Sequence, residues 1–178
     1  MMNGAVTAAI LESAIRNVPD FPKPGIQFKD ITPVLGDARL FAGAVDLLIG
    51  PHANSGIDAV CGIDARGFIF AAAAAQKLGA AFIPIRKKGK LPFTTIEESY
   101  TLEYGEATMA IHADAVRPGA RVLLLDDLLA TGGTAAAATT LLTKMAAHIV
   151  EVGFLIELGF LQGRAKLPGL PVRSIITY

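Results

Sequence analysis

Two adjacent acids and a glycine-rich turn are the part of this sequence best suited to chemistry. Asp126 and Asp127 follow the apolar run Val122–Leu125, and after two leucines comes the turn Ala130–Thr134. Glycine lets a backbone approach a ligand closely, and the amides at the start of a following helix attract phosphate. We therefore predict a phosphate-binding turn formed by Ala130, Thr131, Gly132, Gly133 and Thr134, with two carboxylates beside it that can accept hydrogen bonds from hydroxyl groups. The alternative is that the acids cap a helix and the glycines form an ordinary turn.

The elements on either side of this turn indicate a strand followed by a helix. Val122–Leu125 is short and continuously apolar, which suits a central parallel strand covered on both faces, and we expect the strand to end at Asp126. A segment rich in Ala, Thr and Leu, about residues 135–147, predicts the helix. Open α/β sheets bind ligands beyond the carboxyl ends of their strands, so this placement favours a binding site. The sequence contains neither G-x-x-x-x-G-K-[ST] nor a G-x-G-x-x-G after a strand, so other common phosphate loops do not apply.

A second strand–loop–helix unit carries an arginine suited to an anion. The predicted strand Ala59–Ile63 is followed by the loop Asp64–Gly67 and by an alanine-rich helix predicted over Phe68–Leu78. A guanidinium at the start of a helix, such as that of Arg66, suits a pyrophosphate oxygen.

A basic cluster follows the next predicted strand, Ala80–Ile85. Its members are Arg86, Lys87, Lys88 and Lys90. Because this chain is otherwise balanced in charge, the cluster indicates an anion site at a strand's carboxyl end, with Lys87 first and Arg86 second as ligands. A solvated basic loop would give the same pattern.

The remaining elements are read from periodicity. Helices are predicted over residues 5–18 and Leu40–Ile49, and short strands over Thr108–Ile111, Ile149–Leu158 and Val172–Thr177. Residues 91–104 are polar and predict a mobile loop leading to a hairpin. Alternating strands and helices imply an α/β fold with a central, mainly parallel sheet flanked by helices. The segment Asp20–Pro33 is punctuated by Pro and Gly, yet its Phe21, Ile26, Phe28 and Ile31 are too apolar for a surface loop, so we expect them to pack.

Size and composition limit the class of protein. The 178 residues, about half of them hydrophobic, suit one domain over residues 1–178, and sixteen basic residues balance sixteen acidic ones. This balance disfavours binding to nucleic acid or an anionic membrane. The single cysteine, Cys61, suggests a reducing compartment, and neither a secretory leader nor a bilayer-length apolar run is visible, so we expect a cytoplasmic protein. His52, His112 and His148 are scattered, which disfavours a zinc site.

The motif D-D-x-x-A-T-G-G-T after a buried strand resembles the 5-phosphoribosyl 1-diphosphate (PRPP) binding sequence of type I phosphoribosyltransferases. Within that family the chain resembles the adenine-specific members, nearly end to end. Five stretches carry the resemblance in order: Asp20–Leu35, Ala65–Phe68, Pro84–Pro92, Ser99–Gly105 and Gly163–Leu167. The resemblance implies the type I phosphoribosyltransferase fold, with a small N-terminal hood segment, about residues 19–35, over the active site.

The resemblance also implies a reaction, in which 5-phosphoribose passes from PRPP to N9 of adenine and yields AMP and pyrophosphate, a step of purine salvage. The turn Ala130–Thr134 would hold the 5-phosphate, while Asp126 and Asp127 would bind the ribose hydroxyls and stabilise positive charge on the sugar. The residues implied to bind pyrophosphate are Asp64, Ala65, Arg66, Arg86, Lys87 and Lys90. The family usually has Glu-Ser-Arg-Gly where this chain has Asp64–Gly67, so Ala65 can offer only its backbone.

The base and the closing loop are assigned by the same resemblance. Phe28 would stack on the purine while backbone groups of Gln27 and Lys29 read its edge, although Phe28 as a simple core residue is an equal alternative on sequence. Glu103 would handle the purine proton, and Tyr104 belongs to the family's flexible loop. Mg²⁺ would arrive on PRPP with no direct protein ligand, and the family favours a homodimer. Transfer to hypoxanthine, guanine or xanthine, or a PRPP-sensing regulator without catalysis, are the alternatives.

Overall fold

The computed structural model describes residues 5–101 and 105–178 and contains five α-helices and nine strands in those ranges. The helices are α1 Ala8–Ala14, α2 Thr32–Leu35, α3 Ala38–Ile49, α4 Gly67–Leu78 and α5 Gly133–Lys144. The strands are β1 Arg16–Pro19, β2 Gln27–Asp30, β3 Ala59–Ile63, β4 Ala81–Lys87, β5 Thr95–Thr101, β6 Glu106–His112, β7 Arg121–Leu129, β8 His148–Glu157 and β9 Val172–Thr177. Short 3₁₀ turns lie at Gly50–His52, Gly159–Leu161 and Gly163–Lys166.

Seven strands form one sheet in the order β5-β6-β4-β3-β7-β8-β9. The run from β4 to β9 is parallel, while β6 pairs antiparallel with β4, and β5 antiparallel with β6. The predicted α/β fold with a mainly parallel sheet is therefore confirmed. Helices α4 and α5 follow β3 and β7, so both helices begin at the same edge of the sheet, where those parallel strands end.

The central strand β7 is buried on both faces, as its apolar run predicted. Val122 and Leu124 pack into one core cluster with residues of α5, whereas Leu123 and Leu125 pack into a second cluster with residues of α3 and α4. All four side chains are at most 1% exposed. Because successive side chains of a strand point to opposite faces, this alternation requires helices on both sides of the sheet.

The strand β7 continues beyond the predicted end at Asp126 and reaches Leu129. Leu128 and Leu129 still pair with Ile156 and Glu157 of β8, which holds the backbone extended past the acids. The two carboxylates therefore belong to the strand itself, and the turn begins directly after it.

The predicted first helix was too long, because α1 ends at Ala14 and the chain then forms β1. Arg16 and Val18 pair antiparallel with Asp30 and Phe28 of β2, which makes a two-stranded ribbon with the hood segment. The predicted packing of the hood's apolar residues is confirmed for Ile31, which is 2% exposed, but burial was wrongly predicted for Phe21 and Ile26, which are 51% and 36% exposed.

The hairpin predicted to follow the loop is confirmed, but the loop was predicted too long: of residues 91–104, only 91–94 precede the first strand of the hairpin, and 102–104 lie outside the described residues. Thr95–Thr101 forms β5, an edge strand that pairs along its whole length with β6. Lys144, at the end of α5, donates to the carboxylate of Glu98 at 2.5 Å and so ties this strand to the helix. No helix of the parts that the structure describes is long and apolar enough to cross a membrane.

At the carboxyl end of β8, the buried Glu157 forms an ion pair with Arg164, whose own side chain is 47% exposed. The Nε and Nη2 atoms of Arg164 donate to both carboxylate oxygens at 2.7–2.9 Å, and the Ser174 hydroxyl donates to the same carboxylate at 2.6 Å. These hydrogen bonds, led by those from Arg164, hold the pKa of Glu157 below its usual range.

We predict that this pair makes stability acid-sensitive. A carboxyl group whose pKa is lower in the folded state than in the unfolded state stabilises the fold at pH values above its unfolded-state pKa. This contribution is lost as the pH falls through its folded-state pKa. The Glu157→Gln variant should therefore melt below the unchanged protein near neutral pH, and this difference in Tm should shrink as the medium is acidified below the usual glutamate range. Thermal melts of both proteins across this pH range provide the measurement. A Tm difference that stays constant with pH would contradict the prediction.

Candidate active site

A cavity of about 400 Å³ lies at the edge of the sheet where β3, β4 and β7 end. Many of the predicted site residues line it: Asp64, Ala65, Arg66, Lys87, Asp126, Asp127, Ala130, Thr131, Gly132, Gly133 and Thr134. The structure thus brings together three loops that the sequence had suggested separately. Among the other predicted residues that the structure describes, Gln27, Phe28, Lys29, Arg86 and Lys90 do not line this cavity. Glu103 and Tyr104 lie outside the described residues.

Asp127 is held by the arginine of the neighbouring loop. The Arg66 Nε donates to the Asp127 Oδ2 at 2.5 Å, and the Asp127 residue is only 6% exposed. A planar guanidinium is suited to orienting a carboxylate, so Arg66 both fixes Asp127 and balances its charge.

Asp126 lies in a different environment from its neighbour. Its Oδ1 accepts a hydrogen bond of 2.9 Å from the Asp127 backbone amide. The same oxygen lies close to Gly67, the first residue of α4, since a Cβ atom on this glycine would be only 2.6 Å from it. Burial, followed by the adjacent Asp127 carboxylate, raises the pKa of Asp126 well above its ordinary value. The acid pair therefore combines an ion-paired carboxylate with one that retains its proton to higher pH.

The glycine-rich turn begins α5 and needs glycine at its centre. Gly132 has a φ of +79°, a conformation that L side chains rarely adopt, and its carbonyl accepts the Ala136 amide at 2.9 Å. A Cβ atom on Gly132 would also lie 2.3 Å from the carbonyl oxygen of Gly163. The cavity wall here consists of backbone at the positive end of a helix dipole, which suits a phosphate group.

Tyr100 of β5 contacts this turn, which sequence reasoning missed. The Thr134 hydroxyl donates to the Tyr100 hydroxyl at 2.9 Å, and a Cβ atom on Gly133 would lie 3.0 Å from the tyrosine ring. The available signal was the spacing of Ile96, Glu98 and Tyr100, which are two residues apart and so share one face of a strand. The polar composition of this segment had instead favoured a loop.

The basic cluster divides into a cavity residue and residues that support the loop. Lys87 lines the cavity. Arg86 instead donates from Nε to Asp64 Oδ2 at 3.1 Å and from Nη1 to the Lys90 carbonyl at 3.0 Å. Arg86 therefore connects the Asp64 loop with the end of β4, and Lys87 is the cation of this cluster that is placed to meet an anion in the cavity.

The hood segment reaches the acid pair through Arg66. The Arg66 guanidinium carbon lies 5.7 Å from the centroid of the Phe28 ring, which also makes an edge contact with Phe21 at 5.1 Å. Phe28 is only partly buried and belongs to neither core cluster, so its alternative interpretation as a core residue was wrong. On the other side of the hood, the Lys29 ammonium lies 3.4 Å from the Tyr178 ring centroid and donates to Asn17 at 2.7 Å.

Comparison with known proteins agrees with this geometry. A family model described as a phosphoribosyl transferase domain matches residues 36–166. The adenine phosphoribosyltransferase of Acidothermus cellulolyticus is 54% identical over 167 residues, which cover 94% of each chain. The chain belongs to the adenine phosphoribosyltransferase family.

Solved structures of this family share the fold over nearly the whole chain. The adenine phosphoribosyltransferase of Rhodothermus marinus is 50% identical with a TM-score of 0.92, covering 96% of this chain and 98% of that one. The Saccharomyces cerevisiae enzyme, complexed with an imino-altritol bisphosphate and adenine, is 38% identical with a TM-score of 0.90, covering 94% and 97%. The type I phosphoribosyltransferase fold expected from sequence is therefore confirmed.

Proposed function

We propose that this protein transfers 5-phosphoribose from PRPP to N9 of adenine and releases AMP and pyrophosphate. The proposal rests on one observation, that several predicted elements line the same cavity. These elements are the glycine-rich turn, the acid pair and two further loops that contribute Arg66 and Lys87. Membership in the adenine phosphoribosyltransferase family supports adenine as the acceptor. We propose that residues 1–178 act together as one catalytic domain.

In this mechanism the turn Ala130–Thr134 anchors the substrate by its 5-phosphate. The backbone amides at the start of α5 donate to the phosphate oxygens, together with the Thr131 hydroxyl and, once it turns away from Tyr100, the Thr134 hydroxyl. Because this anchor is remote from the reacting carbon, its binding energy can position C1 against the base.

The acid pair acts on the ribose. Once Asp126 has lost the proton that it retains to higher pH, both carboxylates accept hydrogen bonds from the ribose hydroxyls. The negative field of Asp126 and Asp127 then stabilises the cationic sugar that forms as the C1–O bond to pyrophosphate breaks. The pyrophosphate oxygen takes the bonding electron pair, N9 of adenine forms the new bond to C1, and the N9 proton leaves. The protein contributes preorganised charge and positioning and forms no covalent bond to the sugar.

We propose that the leaving pyrophosphate binds on the side of the acid pair away from the turn Ala130–Thr134. We assign Lys87, Arg66 and the backbone of Asp64 and Ala65 to this group, with Arg86 and Lys90 supporting the loop as described above. Lys87 contributes most directly to charge neutralisation, because Arg66 already balances the Asp127 carboxylate.

The donor set fits a magnesium ion that arrives on PRPP. Mg²⁺ usually keeps several waters and binds one or two carboxylates together with substrate phosphates. Asp126 and Asp127 are the side chains that would contact the oxygens around it, and the bound ion supplies charge neutralisation for the leaving group.

The base is assigned to the hood. Phe28 stacks on the purine, and backbone groups of Gln27 and Lys29 read its edge. The partial burial of Phe28 beside Arg66 supports this assignment, since a stacking residue needs one accessible ring face. We further propose that Glu103 receives the N9 proton and that Tyr104 belongs to a loop that closes over the substrates.

Formation of AMP from adenine and PRPP in the presence of Mg²⁺ is the direct test, with hypoxanthine, guanine and xanthine as parallel acceptors. We expect product from adenine alone. Product only from another base would retain the PRPP site and refute the assignment of Gln27 and Lys29. If PRPP binds and no base reacts, the protein is a PRPP-binding regulator and the enzymatic proposal fails.

Replacement of Phe28 by alanine should raise KM for adenine about tenfold, because stacking of a base on an aromatic ring contributes on the order of 1–3 kcal/mol. The KM for PRPP should stay within about twofold of the unchanged protein's value, since Phe28 does not line the PRPP cavity. Steady-state kinetics with each substrate varied in turn gives both values. Phe93→Ala is the matched control, because Phe93 is a 65% exposed phenylalanine on a different segment. Equal adenine KM values for the two variants would remove Phe28 from the base site.

We also propose that the protein works as a homodimer in the cytoplasm. The family resemblance supports the dimer, and the free, buried Cys61 is consistent with a reducing compartment. Sedimentation equilibrium of the purified protein tests the dimer against the monomer mass of 18.6 kDa.

A further inference from the structure

The segment Gly163–Arg164, part of the fifth stretch of family resemblance, lies outside the cavity lining and has no assigned role. Gly163 is buried, and it follows Gln162, which has a φ of +52°. Its position is defined by two sets of contacts, one to the phosphate-binding turn and one through Arg164 to the sheet.

The first set joins the backbones of Gly163 and the turn. A Cβ atom on Gly163 would lie 2.3 Å from the Ala130 carbonyl oxygen, and one on Gly132 would lie 2.3 Å from the Gly163 carbonyl oxygen. The two backbones therefore pass each other at a distance that leaves no room for a side chain from either glycine. Any displacement of Gly163 changes the space available to Ala130 and Gly132.

The second set fixes Arg164. Besides its two-pronged ion pair with Glu157, Arg164 donates from Nη1 to the Val172 carbonyl at 2.7 Å and from Nη2 to the Ser174 hydroxyl at 3.3 Å. Glu157 is 5% exposed and lies in β8, whereas Val172 and Ser174 lie in β9. The guanidinium thus connects Gly163 to two strands of the rigid sheet.

We infer that Arg164, through its ion pair with Glu157, is a positioning residue for the phosphate-binding turn and thereby for the 5-phosphate group. The pair holds Gly163 against Ala130 and Gly132, so the amides at the start of α5 keep the spacing that a phosphate requires. The inference rests on the proposed function, because it assigns the residue that maintains one of that function's binding sites.

The chain offers a matched control on the same two strands. Arg173 of β9 pairs with Glu151 of β8 at 2.9–3.1 Å and donates from Nη1 to the Leu47 carbonyl of α3 at 2.9 Å. This second arginine–glutamate pair has the same chemistry and joins the same strands, but it braces α3. Among the residues that the structure describes, the hydrogen bonds and ion pairs of Arg173 reach none of the turn Ala130–Thr134. A general loss of stability should therefore be common to both pairs, whereas an effect on the turn should be specific to Arg164.

The experiment compares Arg164→Lys with Arg173→Lys in the full-length protein. Lysine keeps the charge and loses the two-pronged geometry. We expect Arg164→Lys to raise KM for PRPP about tenfold and to weaken binding of ribose 5-phosphate by calorimetry to a similar degree, while KM for adenine stays near the original, because small misplacements of a binding group are costly. Arg173→Lys should lower Tm comparably and leave both KM values unchanged.

Each result decides the inference. Unchanged PRPP KM and ribose 5-phosphate affinity in Arg164→Lys, or equal changes in both lysine variants, would overturn it. If Arg164→Lys does not fold, Ser174→Ala removes one hydrogen bond to Glu157, and its KM for PRPP should rise about twofold with no change in KM for adenine. Failure of the unchanged protein to bind ribose 5-phosphate or to form AMP would instead refute the proposed function, and the inference with it.

Discussion

The Asp127→Asn variant is expected to lose about 100-fold in kcat/KM for PRPP, the scale found when one preorganised electrostatic group is removed from an active site. Asparagine retains the shape of the side chain and a carbonyl oxygen, but it cannot supply negative charge to the cationic sugar. It also leaves Arg66 without the carboxylate that it contacts at 2.5 Å, so the arginine loses its orientation. Initial rates of AMP formation with PRPP varied at saturating adenine provide the measurement.

Asp46→Asn is the matched control for this change. The Asp46 carboxylate is also ion-paired, in this case with Lys77, but its side chain is 54% exposed and lies on α3, away from the cavity lining. Exposed pairs of this kind contribute little, so this variant should retain normal turnover. Turnover near the original value in Asp127→Asn would contradict the role of the acid pair in the transition state.

The Gly132→Ala variant should show the second largest effect, with KM for PRPP rising about 100-fold because the turn can no longer keep its geometry. Two separate costs act at this residue. The φ of +79° is strained for any L side chain, and the added methyl group would meet the Gly163 carbonyl oxygen at 2.3 Å. Kinetics and thermal melts of the same preparation separate binding from stability.

Gly119→Ala isolates the first of these costs. Gly119 has a φ of +76°, and a Cβ atom there meets nothing within 4 Å, so the change adds strain of about 1–2 kcal/mol without a collision. We expect a lower Tm and an unchanged KM for PRPP in this variant. If Gly119→Ala and Gly132→Ala change Tm and KM for PRPP to the same extent, the close approach of Gly163 to Gly132 does not contribute to PRPP binding.

The parts of the site that were predictable from sequence are those encoded in one short stretch. Val122–Leu125 is apolar at every residue, which is typical of a strand covered on both faces, and the turn that follows has glycine where positive φ is needed. The assignment of these segments to one sheet edge followed from the parallel order of strands. For the same reason the loop at Asp64 and the cluster at Lys87 could be placed beside the acid pair.

The parts that were missed depend on partners distant in the chain. Thr95–Thr101 is polar because β5 is an edge strand, and its identity as a strand depends on pairing with β6. The pairing of Arg66 with Asp127 joins residues 61 positions apart, and periodicity contains no information about it. Likewise, the extension of β7 through Asp126 and Asp127 is imposed by β8, since acids on their own favour the end of a strand.

The common starting edge of α4 and α5 has a consequence for how an anion finds this protein. Sixteen positive and sixteen negative side chains give the chain no net charge, so it exerts no long-range attraction on polyanions. At this one edge, however, two helix dipoles point their positive ends toward the cavity that Arg66 and Lys87 also line. The resulting field extends about 8 Å, the screening length at physiological salt. Because Asp64, Asp126 and Asp127 line the same cavity, this attraction is confined to the two helix ends and Lys87. We expect it to orient a small phosphate-bearing metabolite only in the last steps of its approach, while nucleic acids meet a surface that is neutral on average.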